Sequence, residues 1–173
     1  TPRRVVDVNA LSELDYIELN ATELRLGALA RMSAVAAHPD VGREFPALRI
    51  ALEKSASQQI RNMASMGGNL MQRTRCPYFR AEVELPCNKR VPGSGCAARE
   101  GEDRSHAVLG GSEQCIATHP SDAAVALTMF DAVVRVEGPK GPREVPIDEF
   151  YALPGKTPHV ETVLAPGEVI VQI

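Results

Sequence analysis

Leu24, Leu26 and Ala28 alternate with polar neighbours along "ELRLGAL", and this period of two predicts a strand. Upstream, "RRVVDVN" also reads as a strand and "LSELDYIEL" as a short helical turn leading into another, so residues 5–28 predict a small mixed unit. Ser33 is placed to cap a helix through "AVAAH" that stops before Pro39. Pro46 suits the first turn of a second helix running to Gln58. On that helix Leu48, Ala51, Leu52, Ser55 and Ala56 form a face of small side chains suited to close packing. "QQIRNMASMGGNLMQ" predicts a helix running into a loop at two consecutive glycines. Periodicity fades over 76–115 and returns at "CIATHPSDAAVALTMF", where Ser121 is the expected N-cap and Asp122 the acidic residue of a first helical turn. "AVVRVEGPKGPREVPI" predicts a hairpin turned at "GPKG", "IDEFY" one helical turn and "GEVIVQI" a last strand. The fold class is α+β, with no internal repeat.

Composition narrows this picture. A chain of 173 residues with 44% hydrophobic and 24% charged residues is ordinary for a globular fold of one domain or two small ones. A net charge of -3 and basic residues interleaved with acids give no basic face, which argues against nucleic acid as a partner. No apolar run approaches a membrane span, and "TPRRVVDVN" lacks the apolar core of a signal peptide, so any export is expected to use another signal or a carrier partner. Cytoplasm and periplasm both stay open. The chain opens and closes in strand-like sequence without flanking turns, as a piece of a longer protein would.

All four cysteines, Cys76, Cys87, Cys96 and Cys115, fall in the segment with least periodicity. A long structureless insertion in a compact domain is improbable unless something orders it or it is functional. Two disulfides require an oxidising compartment, for which the chain carries no secretory signal. Buried structural thiols do not suit surroundings of Pro, Gly, Arg and Asn. Four thiolates on a metal centre supply ordering free energy that a polar loop does not obtain from burial. Zinc usually takes cysteines in close pairs, whereas successive cysteines here stand 11, 9 and 19 positions apart. Dispersed cysteines can instead wrap an iron-sulfur cluster. Spacing by itself leaves cluster and zinc open.

Two short motifs flank this segment. "SMGGN" at 65–69 offers main chain unobstructed by Cβ atoms to a ligand, or is a tight turn. "THPSD" at 118–122 opens a helix, whose unpaired N–H groups favour an anionic or carbonyl group, or is a plain cap. Ser121, His119 and Asp122 are nearly adjacent in sequence, which prevents the mutual aim a hydrolytic relay needs. His38, His106 and His159 show no ligand spacing and read as surface or structural.

Taken together, "FPALRIALEKSASQQIRNMASMGGNLMQRTRCPYFR" and "CIATHPSDAAVAL" resemble the FAD-binding subunit of the molybdenum hydroxylases, the family of xanthine dehydrogenases, aldehyde oxidoreductases and carbon monoxide dehydrogenases. The likeness covers nearly the whole chain, and "NLMQRTRCPYFR" brings it nearest to the aldehyde oxidoreductase type, in which a 4Fe-4S cluster lies beside FAD. The resemblance implies a FAD-binding PCMH-type domain over 1–150, mainly its second subdomain, with the iron-sulfur loop at 76–115. A linker and the start of a C-terminal flavoprotein domain follow at 151–173. The family's N-terminal subdomain, with its Gly-rich flavin-pyrophosphate segment, is missing upstream.

By the same resemblance, Ser65, Gly67, Gly68 and Asn69 contact FAD from the loop, and Thr118, Ser121 and Asp122 from the helix start. Cys76, Cys87, Cys96 and Cys115 are the implied cluster ligands, and Arg61 and Asn62 brace the loop. Arg73, Arg75 and Arg80 either raise the cluster potential, dock a partner or are solvated charges. The implied role is that of an oxidoreductase subunit. Electrons from a molybdopterin-binding large subunit pass through a 2Fe-2S small subunit to FAD and on to an external acceptor, with no side-chain nucleophile or base. The rival expectation is a zinc-stabilised, non-catalytic protein-interaction module.

Overall fold

A computed structural model describes residues 4–173, which divide into two compact units. The first comprises the chain to Met71 with 122–147 and 166–173. The second comprises 72–121 and 148–165.

In the first unit, β1 (Ile17–Leu19) and β2 (Leu24–Leu26) pair antiparallel, with Ile17 opposite Leu26 and Leu19 opposite Leu24. Asn20 makes the turn: its Oδ1 accepts from the backbone N–H groups of Thr22 and Glu23 at 2.8 and 3.0 Å. Five helices follow: α1 (Met32–Ala37), α2 (Pro39–Glu44), α3 (Pro46–Lys54), α4 (Gln58–Met63) and α5 (Met66–Leu70). The unit is completed by α7 (Asp122–Thr128), β3 (Val133–Glu137), β4 (Arg143–Pro146) and β5 (Val169–Gln172), while α6 (Pro77–Arg80) belongs to the second unit.

β3 is the central strand of the sheet β4-β3-β5, antiparallel to both neighbours. Its valines alternate as the sequence requires, with Val134 and Val136 fully buried between exposed positions. The last residues of the chain tie the two sheets together, since the Leu26 N–H donates to Ile173 O at 2.8 Å and the Ile173 N–H returns to Leu26 O at 2.9 Å. Leu26, Met32, Val35, Val41, Leu48, Leu52, Met66 and Leu70 are essentially inaccessible and form the core.

Several expectations hold: the helical turn in "LSELDYIEL", seen at Ser12–Leu14, the strand through Leu24 and Leu26, the hairpin turned at "GPKG", the helix opened by Asp122 and the closing strand; β1 lies in the stretch expected to be helical, where Ile17–Leu19 pairs with β2 instead. Others do not. The strand expected over "RRVVDVN" begins at Arg3, outside the described residues, and Val5–Asn9 forms none. Val5 and Val6 are exposed with no strand beside them. α1 starts at Met32 with Arg31 as its cap, because Arg31 is held in a bridge opposite Ser65 and Ser33 falls inside the first turn. α3 stops at Lys54, where Ala56 takes φ 49° and Ser57 opens a new helix by accepting from the Ile60 N–H.

The second unit is mostly irregular. It contains α6 (Pro77–Arg80), a single 3-10 turn at Ala97–Arg99 and most of α8 (Ile147–Phe150). Its buried residues include Thr74, Asn88 and His106 beside Cys87, Ala98 and Cys115, a more polar interior than that of the first unit. Among the described residues no helix is long and apolar enough to cross a membrane.

Candidate functional site: a four-cysteine cavity

Cys76, Cys87, Cys96 and Cys115 line one narrow cavity in the second unit, together with Phe79, Asn88, Lys89 and Gln114. All are free, so the disulfide alternative does not apply. Among the described residues no three His, Cys, Asp or Glu side chains are grouped to hold a metal ion; the four cysteines are residues of one cavity lining.

Local bonding explains how polar sequence reaches this arrangement. Cys87 and Cys96 face each other across an antiparallel bridge. The Asn88 N–H donates to Gly95 O at 2.7 Å, and the Gly95 N–H donates to Asn88 Oδ1 at 2.9 Å. Asn88 Nδ2 then donates to Gln114 O at 3.0 Å, tying the first bridge to the residue before Cys115. A second bridge, Ser112 opposite Cys115, closes the turn that presents Cys115. Burial pushes the Cys115 thiol up, while the Ala117 N–H, 3.5 Å from its sulfur, and the charge of Lys89 pull the other way.

Cys76 is presented by the N-terminus of α6, which Pro77 begins. Arg90 donates to the carbonyls of Tyr78, Phe79 and Ala81, satisfying the end of that helix. The Tyr78 hydroxyl accepts from the Glu102 N–H at 2.6 Å. Arg73 stacks on Phe79 at 4.6 Å and pairs with Glu161 at 2.7 Å, and Arg80 donates to Thr74 O at 2.9 Å. Arg73 and Arg80 therefore brace the loop, although both are exposed, as is Arg75.

Lys89 and Ala117 also line a second cavity of about 270 Å³ in this unit, with Thr118, His119, Tyr151 and Glu161 on its wall. The Lys89 side chain is only 10% exposed, and its ammonium donates to Glu161 at 3.0 Å and to Pro158 O at 2.7 Å. The His119 ring lies against Tyr151 with centroids 4.2 Å apart. Burial lowers the His119 pKa and raises that of Tyr151. Thr118 is exposed and Ser121 buried.

The glycine motif differs from the loop expected. "MGGNL" is itself α5, and Ser65 caps it by accepting from the Gly68 N–H at 3.2 Å. The Gly67 N–H donates to Ala28 O at 2.9 Å and the Asn69 N–H to Ser65 O at 2.9 Å, so these groups are already used. Gly67 is glycine because Ala28 lies against it: an added Cβ would stand 3.1 Å from both Ala28 Cβ and Ala28 O. Asn69 is buried, with Nδ2 3.4 Å from Met32 Sδ. Gly68 alone of this set is exposed, and only Ser65 Oγ lies near its missing Cβ. Asp122 is exposed at the start of α7. Arg61, expected to brace this segment, instead donates to Ser55 O at 2.7 Å and Ala56 O at 3.1 Å and so braces the end of α3.

Sequence reasoning missed Lys89, Arg90, Glu161 and the position of His106. The basic and acidic residues gave no periodic signal. Of the two expectations for His106, surface or structural, the structure meets the second: it is 9% exposed with Nε2 3.2 Å from Cys76 Sγ.

Comparison with known proteins agrees with the motif-based resemblance. The chain matches the family described as FAD binding domain in molybdopterin dehydrogenase across residues 1–173. It is 55% identical to the aldehyde oxidoreductase FAD-binding subunit PaoB of Escherichia coli K12 over 175 aligned residues, 100% of this chain and 54% of that protein. It is 26% identical to a putative xanthine dehydrogenase FAD-binding subunit of the same organism, covering 89% of this chain and 38% of that protein. The chain thus spans about half the length, or less, of these relatives. Among solved structures, carbon monoxide dehydrogenase from Hydrogenophaga pseudoflava aligns with a TM-score of 0.60 at 22% identity, covering 96% of this chain and 41% of that one. Quinoline 2-oxidoreductase from Pseudomonas putida 86 aligns with 0.59 at 22% identity, over the same shares. At that identity the structures speak for the fold alone.

Proposed function

The chain belongs to the family of FAD-binding domains of molybdopterin dehydrogenases, and from that premise we propose that it is the flavin-holding part of a molybdenum-containing hydroxylase. The match of its whole length to that family carries this reading. Its 55% identity to an aldehyde oxidoreductase subunit favours aldehydes as the substrate class, oxidised on a separate chain. The partners are a molybdopterin-binding large subunit and a 2Fe-2S small subunit, and the electrons leave for an external acceptor.

The redox chemistry belongs to FAD and to a 4Fe-4S cluster, and the residues of this chain hold and orient them. Cys76, Cys87, Cys96 and Cys115 are assigned as the cluster ligands. Four free thiols around one cavity suit that donor set. A zinc ion would draw its four sulfurs to within about 3.8 Å of one another, given the usual bond length. The flavin contacts are assigned to Ser65, Gly67, Gly68, Asn69 and Asp122 in the first unit and to Thr118 and Ser121 in the second. Gly68 is the exposed residue of this set, with its N–H given to Ser65 Oγ, while Gly67 and Asn69 are buried.

The test uses the complete assembly. An aromatic or aliphatic aldehyde, mixed anaerobically with it, is expected to bleach the flavin absorption within a turnover. Aldehyde oxidation with the flavin left oxidised would remove the electron-transfer role.

A further inference from the structure

Between Cys76 and Cys115 one buried side chain touches a sulfur without belonging to the cysteine set. His106 places Nε2 3.2 Å from Cys76 Sγ, and its own backbone N–H donates to Asp103 O at 2.8 Å. The Tyr78 ring stands nearby at 6.2 Å between centroids. The other ring nitrogen, Nδ1, is buried and has no hydrogen-bond partner among the described residues. A thiolate only accepts, so a contact with a ligating Cys76 sets the proton on Nε2. That tautomer leaves Nδ1 as a lone pair instead of a second N–H without an acceptor. Buried polar groups are normally satisfied; this imidazole forgoes a partner on one side and keeps the sulfur contact on the other.

We propose that His106 is a positioning residue of the cluster, donating its Nε2–H to the Cys76 thiolate and so holding the sulfur in place and raising the cluster's reduction potential. The inference rests on the cluster reading of the four cysteines. Reduction adds one electron to the cluster with no bond made or broken, and the proton stays on Nε2. A donor aimed at a ligand sulfur stabilises the added negative charge, one of the ways a protein sets such potentials.

The experiment compares wild type, His106→Gln and His106→Leu in the complete subunit within its assembly, prepared anaerobically. Iron content is measured, and the cluster is titrated with dithionite and mediators under EPR. The leucine variant is expected to disfavour reduction by roughly tenfold, a fall of about 59 mV for a one-electron couple. The glutamine variant, which keeps an N–H donor, is expected to lie between. Pulsed EPR of reduced wild type labelled with 15N-histidine is expected to show a nitrogen coupling that the leucine variant lacks. If the leucine variant holds no iron, the labelled wild type decides. Iron-loaded wild type without that coupling, or a leucine variant at the wild-type potential, overturns the role of His106 alone. Wild type containing zinc and no iron overturns the cluster reading and this inference with it.

Discussion

Cys87 and Cys96 stand opposite one another in an isolated antiparallel bridge, and the turn between them closes through Asn88 and Gly95. Gly95 adopts φ 98°, where a side chain is strained, and an added Cβ would stand 3.4 Å from Pro86 Cβ. Gly95→Ala is therefore expected to destabilise this turn by about 1–2 kcal/mol and to lower the iron retained by the complete subunit. Thermal unfolding and iron analysis read the two effects. An unchanged iron content would dissociate the bridge from metal binding.

Lys89 is nearly buried and its ammonium is answered by Glu161, which also receives half-exposed Arg73. Removing Glu161 strands the more deeply buried charge. Glu161→Ala is expected to cost roughly 1.5–3 kcal/mol, whereas Arg73→Ala, at a group 51% exposed, is expected to cost under about 1 kcal/mol. Chemical denaturation of the pair of variants gives the comparison. Equal costs would contradict the assignment of Lys89 as the partner that matters.

Arg90 satisfies the carbonyl end of α6, the helix that follows Cys76. Its replacement in Arg90→Ala leaves those carbonyls without their donor, an expected loss of about 1.5–3 kcal/mol. Lysine supplies one point charge in place of a planar fork and is expected to restore only part of that. Protection of the Arg80 amide, which donates to Cys76 O at 3.0 Å, should fall in hydrogen exchange. Full protection in Arg90→Ala would show that α6 does not depend on this contact.

Gly67 and Gly68 are neighbours with opposite surroundings. Ala28 cannot retreat easily from Gly67, because its carbonyl accepts from Gly67 while its N–H donates to Val171 O at 3.0 Å. Gly67→Val is expected to cost about 1–3 kcal/mol through overpacking. Gly68→Val, at an exposed position where an added Cβ meets only the capping Ser65 Oγ at 3.0 Å, is expected to cost about 1 kcal/mol by disturbing that cap and to lower flavin content. Flavin released on denaturation, measured beside the unfolding midpoint, separates the two; flavin retained at wild-type level in Gly68→Val would remove that residue from the proposed contacts.

Local pattern made much of the first unit legible. The alternation of Val134 and Val136 and the turn at "GPKG" lie within one hairpin, so sequence neighbours settle its form. "VVDVN" has comparable propensity, yet a strand needs a partner, and no residue pattern announces that one is missing. The end of α3 was lost for a similar reason, since Ala56 takes a positive φ that Ala rarely adopts, held by Arg61 from five residues on. In the second unit the sequence set the four cysteines apart as one group, and they line one cavity. The neighbours of that group were not legible, because Cys76 meets His106 30 positions away and Lys89 meets Glu161 72 positions away.

The four cysteines of this chain are the proposed ligands of an iron-sulfur cluster in a flavin-binding subunit. Metal and flavin analysis of the complete subunit, isolated anaerobically with its partners and compared with a Cys87→Ala, Cys96→Ala variant, tests that assignment most directly. After subtraction of the iron of the 2Fe-2S partner, the expected result is about four irons and one FAD per chain, with that iron absent from the variant. Stoichiometric zinc lost on the same substitution, or iron unaffected by it, would contradict the claim.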